Sequence, residues 1–476
     1  MILVLALSLV ASAALGAFAL LLVWPSVGAR RARSLLVALG AGLGSGLSAL
    51  LLFPWLILFG PTRAFPLCEV ALVTILGVAV YRSRRAPLGV GEPAWLVGPS
   101  RLLGPIFLIV LASAALALIT MLRLEPHGEW DAWMNWDMRA RMIFLGGATW
   151  RTAFAPELPW SHPDYPVLVP SLVVRAWLYA GKATLVGPAL VAGTFALATV
   201  ALLVTALGTL RSPSQGLLAG MVLLATPFFI RHAASLYADV PLAFFFLSTV
   251  VCLALDDRSG GASSRFAVLA GLSAGLAMWT KNEGLLFTGC VLAGIVASGW
   301  GADRAAMRRL LAFGIGLLPP LLVVASFKLA FAPPNDLLST LGVEGTLGRL
   351  IDPERYTTVA SAYAIHLASF GANGLPGAVW PLAVYFGLMG WDPVERRRAW
   401  ARGVALALGL ILIGHFMVFV SMAHELARLL ASSLDRLILQ VWPSALFLGF
   451  MVARTVEEVS GSEAAAPSRA RHATVH

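Results

Sequence analysis

Apolar residues in this chain occur in runs of about 15 to 25 that are separated by short polar segments. An α-helix needs about 20 apolar residues to cross a hydrocarbon core of about 30 Å. The runs therefore predict an all-α polytopic membrane protein with about 13 transmembrane helices. They lie near residues 1–24, 35–59, 66–81, 104–122, 186–209, 215–230, 239–255, 266–280, 284–300, 309–331, 376–391, 403–422 and 436–453.

The composition supports this architecture and excludes a soluble enzyme. Of the 476 residues, 59% are hydrophobic and 12% are charged, whereas soluble domains are roughly 45–50% apolar and about 25% charged. We expect one membrane domain over residues 1–454, made of spans in 1–122, a polar segment at 123–185 and the remaining spans in 186–454. Residues 455–476 are rich in alanine and serine, which predicts a disordered cytoplasmic tail.

The basic residues predict the orientation of the chain. The formal net charge is +10, but the arginines lie in short loops between apolar runs, so a nucleic-acid partner is not expected. Most of them fall in one set of alternate loops, which should be cytoplasmic in an inner (plasma) membrane protein. The N-terminus and the segments 123–185 and 332–375 should then be outside, and the C-terminus inside. The apolar stretch 167–180 is too short to span, so we expect an interfacial or re-entrant helix there.

The densest polar cluster is EPHGEWDAWMNWDMRARMIF, from Glu125 to Phe144. A helix over 130–144 would place acidic, amide and basic side chains on one stripe and apolar ones on the opposite side. We expect that helix to lie flat at the membrane surface, with its carboxylate turned towards water or a pocket. The alternative is a plain aromatic anchor in the interface. The polar stripe is Asp131, Asn135 and Arg139, and the opposite side is Trp133, Trp136, Ala140 and Phe144.

Three further motifs carry polar residues on the same predicted outside face. In SHPDYPVLVP, His162 and Asp164 are candidate substrate contacts, or else they form a stiff turn that caps the next helix. In RHAASLYADVPLAFF, Asp239 precedes an apolar run, where it serves either function or N-capping. In MWTKNEGLLF, Lys281 is one of three lysines in the chain, and it either has a function or simply snorkels or pairs with Glu283.

The topology predicts that Asp131, Asp239 and Lys281 meet at one face of the membrane although they are far apart in sequence. A carboxylate that accepts a proton, beside cations that hold an oxyanion, suits the transfer of a group away from a phosphate. A lipid-linked donor brings such a phosphate to the interface. No ligand spacing for a metal is present, and the three cysteines show no pairing pattern. A divalent cation between Asp131 and Asp239 is the one metal site that we consider.

These motifs together resemble the GT-C superfamily of integral-membrane glycosyltransferases, in particular bacterial relatives of protein O-mannosyltransferases and aminoarabinose transferases. EWDAW resembles the family's first extracytoplasmic loop with its catalytic acid, and HPDYP, YADVPLAFF and GLAMWTKNEG resemble its later outside segments. SSLDRLILQVWP, from Ser432 to Pro443, is similar to a C-terminal pattern of bacterial members. The acidic loop usually follows the first span in that family, whereas here it follows the fourth.

The resemblance implies a GT-C-like domain and an inverting transfer from a polyprenyl-phosphate sugar to a glycan, lipid or protein acceptor. It implies Asp131 as the general base, with Glu129 as a second candidate and Asp137 as a third. Lys281 and Arg231 would lie near the donor phosphate, and Asp239 would orient the acceptor or support the base. The remaining candidate substrate contacts are His162, Asp164, Arg139 and Glu283.

Two other functions remain open from the sequence. A transporter or flippase would place charges and broken helices near the midplane, but few charges lie inside the spans. Glu69 and Lys328 are near span ends, and Arg175 is in the short segment 167–180. A glycan polymerase or ligase would use the same face, and it would give more importance to Arg349, Arg355, Arg428 and Arg436.

Overall fold

The structure is a computed structural model that describes residues 2–24, 33–83, 99–259, 264–298, 304–334, 343–370, 377–423 and 425–461. The described residues are almost entirely helical. The first half of the chain forms α1 (Ile2–Val23), α2 (Arg33–Phe59), α3 (Phe65–Arg82), α4 (Ser100–Leu124), a π-helical turn (Ala132–Trp136), α5 (Asp137–Leu145), two 3₁₀ turns (Gly147–Phe154 and Pro159–Ser161), α6 (Leu168–Ala180), α7 (Val186–Leu210), α8 (Pro213–Leu224) and α9 (Pro227–Ala234).

The second half continues with helices only. They are α10 (Asp239–Arg258), α11 (Arg265–Thr280), α12 (Glu283–Ala297), α13 (Arg304–Ala330), α14 (Val343–Leu350), α15 (Pro353–Ser369), α16 (Val379–Met389), α17 (Pro393–Arg397), α18 (Ala399–Ser421), α19 (Leu426–Val452) and α20 (Val456–Ser460). Within the described residues, nine helices are long and apolar enough to cross a membrane, or ten if α8 and α9 form one bent span, against about 13 predicted. Three of the predicted spans are the shorter helices α11, α12 and α16, of 16, 15 and 11 residues. The all-α polytopic membrane fold predicted from the apolar runs is confirmed.

Two of the differences from the predicted spans have identifiable reasons. The predicted span at 215–230 is two helices, α8 and α9, bent by 64°. Pro227 starts the second helix, because proline lacks the N–H that would continue the first. α19 begins at Leu426 rather than near residue 436, since the polar residues before Asp435 lie on an amphipathic first part of that helix.

α10 is the centre of the core, and its membrane-spanning segment is completely buried by the rest of the protein. Its run Phe244, Phe245 and Phe246 is fully enclosed by neighbouring helices. Glycines let other helices approach closely: a Cβ on Gly271 of α11 would lie 1.9 Å from the carbonyl oxygen of Phe313 in α13. Small residues at such crossings let helices pack with large van der Waals contact where lipid offers no hydrophobic driving force.

The alternating loops of the sequence collect at two opposite ends of the helix bundle. One end, called the basic end, holds four arginines that the sequence places in one set of alternate loops. They pair with acids of neighbouring segments: Arg211 with Asp392 at 3.1 Å, Arg258 with Glu395 at 2.8 Å, Arg309 with Asp256 at 3.0 Å and Arg398 with Asp257 at 2.9 Å. The start of α10 and the α11–α12 turn lie at the other end. Which end faces the cytoplasm stays a prediction.

The short helix α6 is enclosed by protein. All of its residues except Ala180 are buried, so of the two predicted placements burial favours the re-entrant one over an interfacial one. Arg175 donates to both carboxylate oxygens of Glu69 in α3, each at 2.9 Å, and to the carbonyl of Ser8 in α1 at 2.6 Å. Tyr179 also donates to Glu69, at 2.7 Å. This buried ion pair fixes α6 against the N-terminal spans.

The first residues of the predicted disordered tail form a short helix. α20 is a short helix whose N-cap Thr455 forms a reciprocal capping box with Glu458. Glu458 also lies 3.6 Å from Arg211 at the basic end. The predicted disordered tail therefore does not begin at residue 455, and its remainder, 462–476, lies outside the described residues.

Candidate active site

Five ionisable side chains from four segments of the chain form one continuous set of contacts, which we call the charge network. Arg436 of α19 is 2.8 Å from Asp131 through Nη1 and 3.0 Å from Asp239 through Nη2. Lys281 is 3.0 Å from the other oxygen of Asp239 and 2.7 Å from Glu283. The predicted meeting of Asp131, Asp239 and Lys281 thus occurs, with Arg436 as the link.

Asp239 is the buried centre of the charge network. It is the first residue of α10, where the helix dipole favours a negative charge. Its Oδ1 accepts hydrogen bonds from Lys281 and from Gln440 at 2.6 Å, and its Oδ2 accepts two from Arg436. A fully buried carboxylate needs such compensation. With both oxygens engaged, Asp239 is arranged to hold its neighbours in place.

Asp131 is the most exposed acid of the charge network. Its side chain is 28% exposed, against 17% for Glu283 and 0% for Asp239. Its backbone N–H donates to the Tyr237 hydroxyl at 3.3 Å, which fixes the start of the π-helical turn. Asp131 is therefore the network carboxylate that a hydroxyl group arriving from solvent can reach most easily.

Tyr237 contacts both Asp131 and Arg436. The guanidinium of Arg436 lies 4.5 Å from the centre of the Tyr237 ring, a cation–π distance. Burial, together with the negative charge of Asp131, raises the pKa of Tyr237 to about 12. The phenol therefore keeps its proton at neutral pH and stays a neutral platform beneath Arg436.

The predicted helix over 130–144 is interrupted, and its polar stripe is wrong. Residues 132–136 form a π-helical turn, which changes the register of side chains before α5 begins. Asn135 and Arg139 are buried rather than turned to water, and Trp136 is buried with them. Trp130 and Trp133 are the exposed aromatics, 59% and 45%, with their ring centres 4.7 Å apart. An aromatic surface patch therefore exists, and it includes the predicted Trp133, but its other member is Trp130 rather than the buried Trp136.

A second polar cluster lies beside the charge network and contains Asp164, Asn282 and Lys328. Asn282 donates to Asp164 at 2.9 Å, and Lys328 donates to the Asn282 side chain at 2.8 Å. The Lys328 ammonium also lies 3.7 Å from the Asp164 carboxylate. Because Asn282 stands between Lys281 and Glu283, one turn of chain belongs to both clusters.

Tyr165 occupies the space between the two clusters. Its ring centre is 6.0 Å from the Lys281 ammonium. Burial, with the negative charges of Glu283 and Asp164, raises the pKa of its phenol well above the ordinary value. Its carbonyl accepts a hydrogen bond from Arg139 at 2.6 Å. Burial lowers the pKa of Arg139 to about 9, against the opposing attraction of Asp164.

The alternative that His162 and Asp164 merely cap the following helix is not supported. The N-cap of α6 is Val167, and no side chain caps it. His162 is exposed, has a left-handed backbone with φ of 47°, and places its ring 5.3 Å from that of Tyr165. Asp164 is buried in the second cluster. The two residues therefore have different environments despite their proximity in sequence.

Glu129 and Arg231 form a separate, more exposed pair. Their side chains are 3.0 Å apart and are 28% and 54% exposed. The backbone N–H of Glu129 donates to the carbonyl of Ser235, so this pair lies on the loop that leads to Tyr237. Glu129 and Asp131 thus pair with different arginines.

The gap between Asp131 and Asp239 does not fit a divalent cation, because the Arg436 guanidinium lies in contact with both carboxylates. In the described part of the chain, no group of three or more histidines, cysteines and acids is placed to hold a metal ion. The three cysteines are free thiols, of which Cys252 and Cys290 are buried.

The arginines that the sequence linked to a polymerase or ligase have different environments. Arg349 donates to the carbonyl of Ser421, and Arg355 donates to the carbonyls of Phe419, Val420 and Met422. Both therefore hold the C-terminus of α18, where a helix favours positive charge. Arg428 is exposed. Of that set, Arg436 is the member in the charge network.

Several site residues were not predicted as part of the site. Arg436 was considered only for a polymerase or ligase, and Gln440 was not singled out. The two are separated by four residues, which puts them on the same helix face within SSLDRLILQVWP. Asn282 and Lys328 were also missed. The scarcity of lysine would have singled out Lys328, which is one of only three in the chain.

Comparisons with known proteins give a partial structural likeness. No known protein family and no curated protein matches the sequence. The fold is similar to the crystal structure of ArnT from Cupriavidus metallidurans bound to undecaprenyl phosphate, with 16% identity and a TM-score of 0.48. The match covers 72% of this chain and 59% of ArnT. At this similarity, neither the activity nor the ligand of ArnT passes to this chain, so the function must be argued from the site.

Proposed function

We propose that this protein is a membrane-bound glycosyltransferase that moves a sugar from a polyprenyl-phosphate donor to an acceptor hydroxyl, with inversion. The observation that carries the proposal is the charge network at one end of an apolar helix bundle. Its ion pairs combine one half-buried carboxylate, Asp131, with a cation, Arg436, fixed by a buried acid, Asp239. A proton acceptor and an anion-stabilising group are the two elements that displacement of a phosphate requires.

The proposed reaction is a single displacement. Asp131 accepts the proton of the acceptor hydroxyl as its oxygen attacks the anomeric carbon. The bond from that carbon to the phosphate oxygen breaks, and the electron pair leaves with the polyprenyl phosphate. One base is enough for this chemistry, because the leaving phosphate needs stabilisation of its negative charge rather than a protonating acid.

The roles of the cations follow from their existing partners. Lys281 is 95% buried at its side chain and already contacts Asp239 and Glu283. We therefore assign it a positioning role, in which it holds Asp239 and through it Arg436. Arg436 and the half-exposed Arg231 are better placed to meet a phosphate. This assignment replaces the direct contact of Lys281 with the phosphate that the family resemblance implies.

We prefer Asp131 to Glu129 as the base. The contact of Asp131 with Arg436 connects it to the buried core of the network, and its backbone is held by Tyr237. Glu129 pairs with Arg231, whose side chain is 54% exposed. A base needs a fixed direction towards its substrate, and the partners of Asp131 supply that.

A transporter is the second class of function, and one observation bears on it. Glu69 and Arg175 form an ion pair buried among helices, as an ion-coupled carrier would need. Their bonds to Tyr179 and to the Ser8 carbonyl, however, occupy the pair in holding helices together. The charge network instead lies where α10 begins and where α11 meets α12, which suits chemistry at a surface.

The products of a lipid-linked sugar donor separate these functions. Purified protein in liposomes is incubated with polyprenyl-phosphate donors carrying labelled hexoses or pentoses, together with membrane lipid and glycan acceptors. A glycosyltransferase releases polyprenyl monophosphate as label enters the acceptor. Label that crosses the bilayer with the donor intact would instead indicate a flippase. Turnover of polyprenyl-diphosphate glycans, with no turnover of the monophosphate sugar, would indicate a polymerase or ligase.

A further inference from the structure

A groove of about 530 Å³ lies between α15 and the first part of α19, outside the charge network. On the α15 side, Thr357, Ser361, Ile365 and His366 line it, and on the α19 side Ala427, Leu430 and Ala431 do. The α15 residues 357, 361 and 365 are spaced by four, so hydroxyl and apolar side chains share one face of that helix. The groove therefore offers hydrogen-bonding groups beside apolar surface.

A histidine–aspartate pair stands at the groove. The Nδ1 of His366 is 2.7 Å from the Oδ1 of Asp435, and the side chains are 24% and 35% exposed. A carboxylate on one ring nitrogen fixes the orientation of a histidine and leaves the other nitrogen for a further hydrogen bond. His366 itself lines the groove, so this pair is a built feature rather than a chance surface contact.

The charge of the groove indicates what it can bind. Its lining within the described residues includes no lysine or arginine. A phosphate group is normally bound by such cations, and they lie instead around Arg436. Hydroxyls and an imidazole, beside the apolar side chains of Ile365, Leu430 and the alanines, are suited to a neutral molecule that has both hydroxyl groups and apolar C–H faces.

The groove and the charge network share helix α19. Asp435 and Arg436 are consecutive in α19, so they point about 100° apart around the same turn of helix. The α15 wall is tied to the rest of the bundle, because Arg355 donates to the carbonyls of Val420 and Met422 at the end of α18. A molecule in the groove would therefore lie beside the turn of α19 that carries the network cation.

We propose that this groove binds the acceptor as a neutral saccharide headgroup, with the His366–Asp435 pair as its hydrogen-bonding anchor. That this saccharide is the acceptor rests on the proposed function, whereas its binding in the groove does not. The donor phosphate and the acceptor sugar are then held on neighbouring faces of α19, one by cations and the other by neutral groups.

Photo-crosslinking tests this proposal without turnover. The full-length protein in liposomes is labelled with a diazirine derivative of octyl β-glucoside, and the labelled peptides are identified. We expect label in Pro353–Ser369 and in the first part of α19, with competition by octyl β-glucoside but not by octyl phosphate or octanol. His366→Gln removes the anchor, which should lower labelling about tenfold, as expected for loss of one well-made hydrogen bond. Ala431→Phe should abolish labelling by filling the groove.

Ala364→Phe is the matched control, since Ala364 is exposed on α15 and does not line the groove. Its labelling should equal that of the unmodified protein, and gel filtration verifies that all variants remain folded. Equal competition by octanol would contradict the proposal in favour of a lipid-chain groove, and so would normal labelling of Ala431→Phe. Transfer activity without groove labelling would overturn this inference alone, whereas groove labelling without donor turnover would overturn the proposed reaction alone.

Discussion

Arg436 is the residue that joins the exposed and the buried parts of the site. Its three guanidinium nitrogens contact Asp131 and Asp239, and its Cζ lies 4.5 Å from the centre of the Tyr237 ring. An arginine can do this because its guanidinium is planar and donates in several fixed directions, whereas a lysine ammonium is a point charge. The orientation of Asp131 therefore depends on the identity of this cation and not on its charge alone.

Two replacements of Arg436 should distinguish its contribution to stability from its contribution to activity. Arg436→Met leaves Asp239 buried with one cation fewer, which should lower the free energy of unfolding by about 3 kcal/mol or more. Arg436→Lys keeps the charge, so we expect it to retain most of the stability but to lose transfer activity, because it cannot bridge both acids. Melting in detergent and transfer from the labelled donor measure the two effects. Full activity of Arg436→Lys would show that the bridge is dispensable.

Asp137 should make the stability depend on pH. Burial raises its pKa to about 7, against the opposing attraction of Arg141, whereas an unfolded aspartate has a pKa of about 3.9. Between these values the folded protein holds a proton that the unfolded chain has lost, so stability falls as pH rises and the loss is complete above about pH 7.

Asp137→Asn should remove this contribution. The variant should therefore gain melting temperature relative to the unmodified protein at pH 8 but gain little at pH 4. Thermal unfolding of both proteins in the same detergent at the two pH values measures the difference. An equal shift at both pH values would contradict a raised pKa for Asp137.

Three charged residues of the site are easier to identify from the sequence than its central cation, Arg436. Asp131, Asp239 and Lys281 stand out because ionisable groups beside apolar runs are costly and rare. Arg436 does not stand out, because the chain contains 31 arginines and most of them have an ordinary topological explanation. Its partner Asp239 is 197 residues away, a pairing that no local pattern reveals.

At the scale of elements, the apolar runs predicted where helices occur but not how they deviate from regularity. The π-helical turn at 132–136 determines which residues of the acidic loop are buried, and a regular helical period cannot reproduce it. The α8–α9 break had a visible cause in Pro227. The burial of α6 had none in its own sequence, because its partner Glu69 belongs to a span far earlier in the chain.

The Glu69–Arg175 pair offers a test of how α6 is held. Glu69→Leu leaves Arg175 buried without its carboxylate, which should cost about 3–5 kcal/mol. The double variant Glu69→Leu with Arg175→Leu removes both charges and should be clearly more stable than the single variant. Thermal unfolding in detergent compares them. If the double variant were as unstable as Glu69→Leu or less stable, the buried unpaired charge would not be the cause of the loss.

At the scale of the whole molecule, the distribution of arginines predicted which loops share an end. Arg211, Arg258, Arg309 and Arg398 come from different loops and collect at the basic end, each in an ion pair. Cytoplasmic retention of positive loops then predicts that the charge network faces outside. Charge counting can assign this side, but it cannot show which side chains meet.

Cysteine labelling determines the orientation. Thr152 is exposed in the loop segment that follows α5, and Val394 is 65% exposed at the basic end. With the exposed Cys68 replaced by serine, Thr152→Cys should react with a membrane-impermeant maleimide in intact cells. Val394→Cys should react only after the cells are permeabilised. The opposite pattern would place the charge network in the cytoplasm.

The central claim is that Asp131 is the base of a sugar transfer from a polyprenyl-phosphate donor, and Asp131→Asn tests it most directly. The amide has nearly the same shape but cannot take a proton, so we expect normal insertion and a transfer rate lower by about 10²–10⁴-fold. Glu129→Gln is the matched control and should keep most of the activity. Transfer by Asp131→Asn at the rate of the unmodified protein, in the same liposomes and with the same labelled donor, would contradict the account.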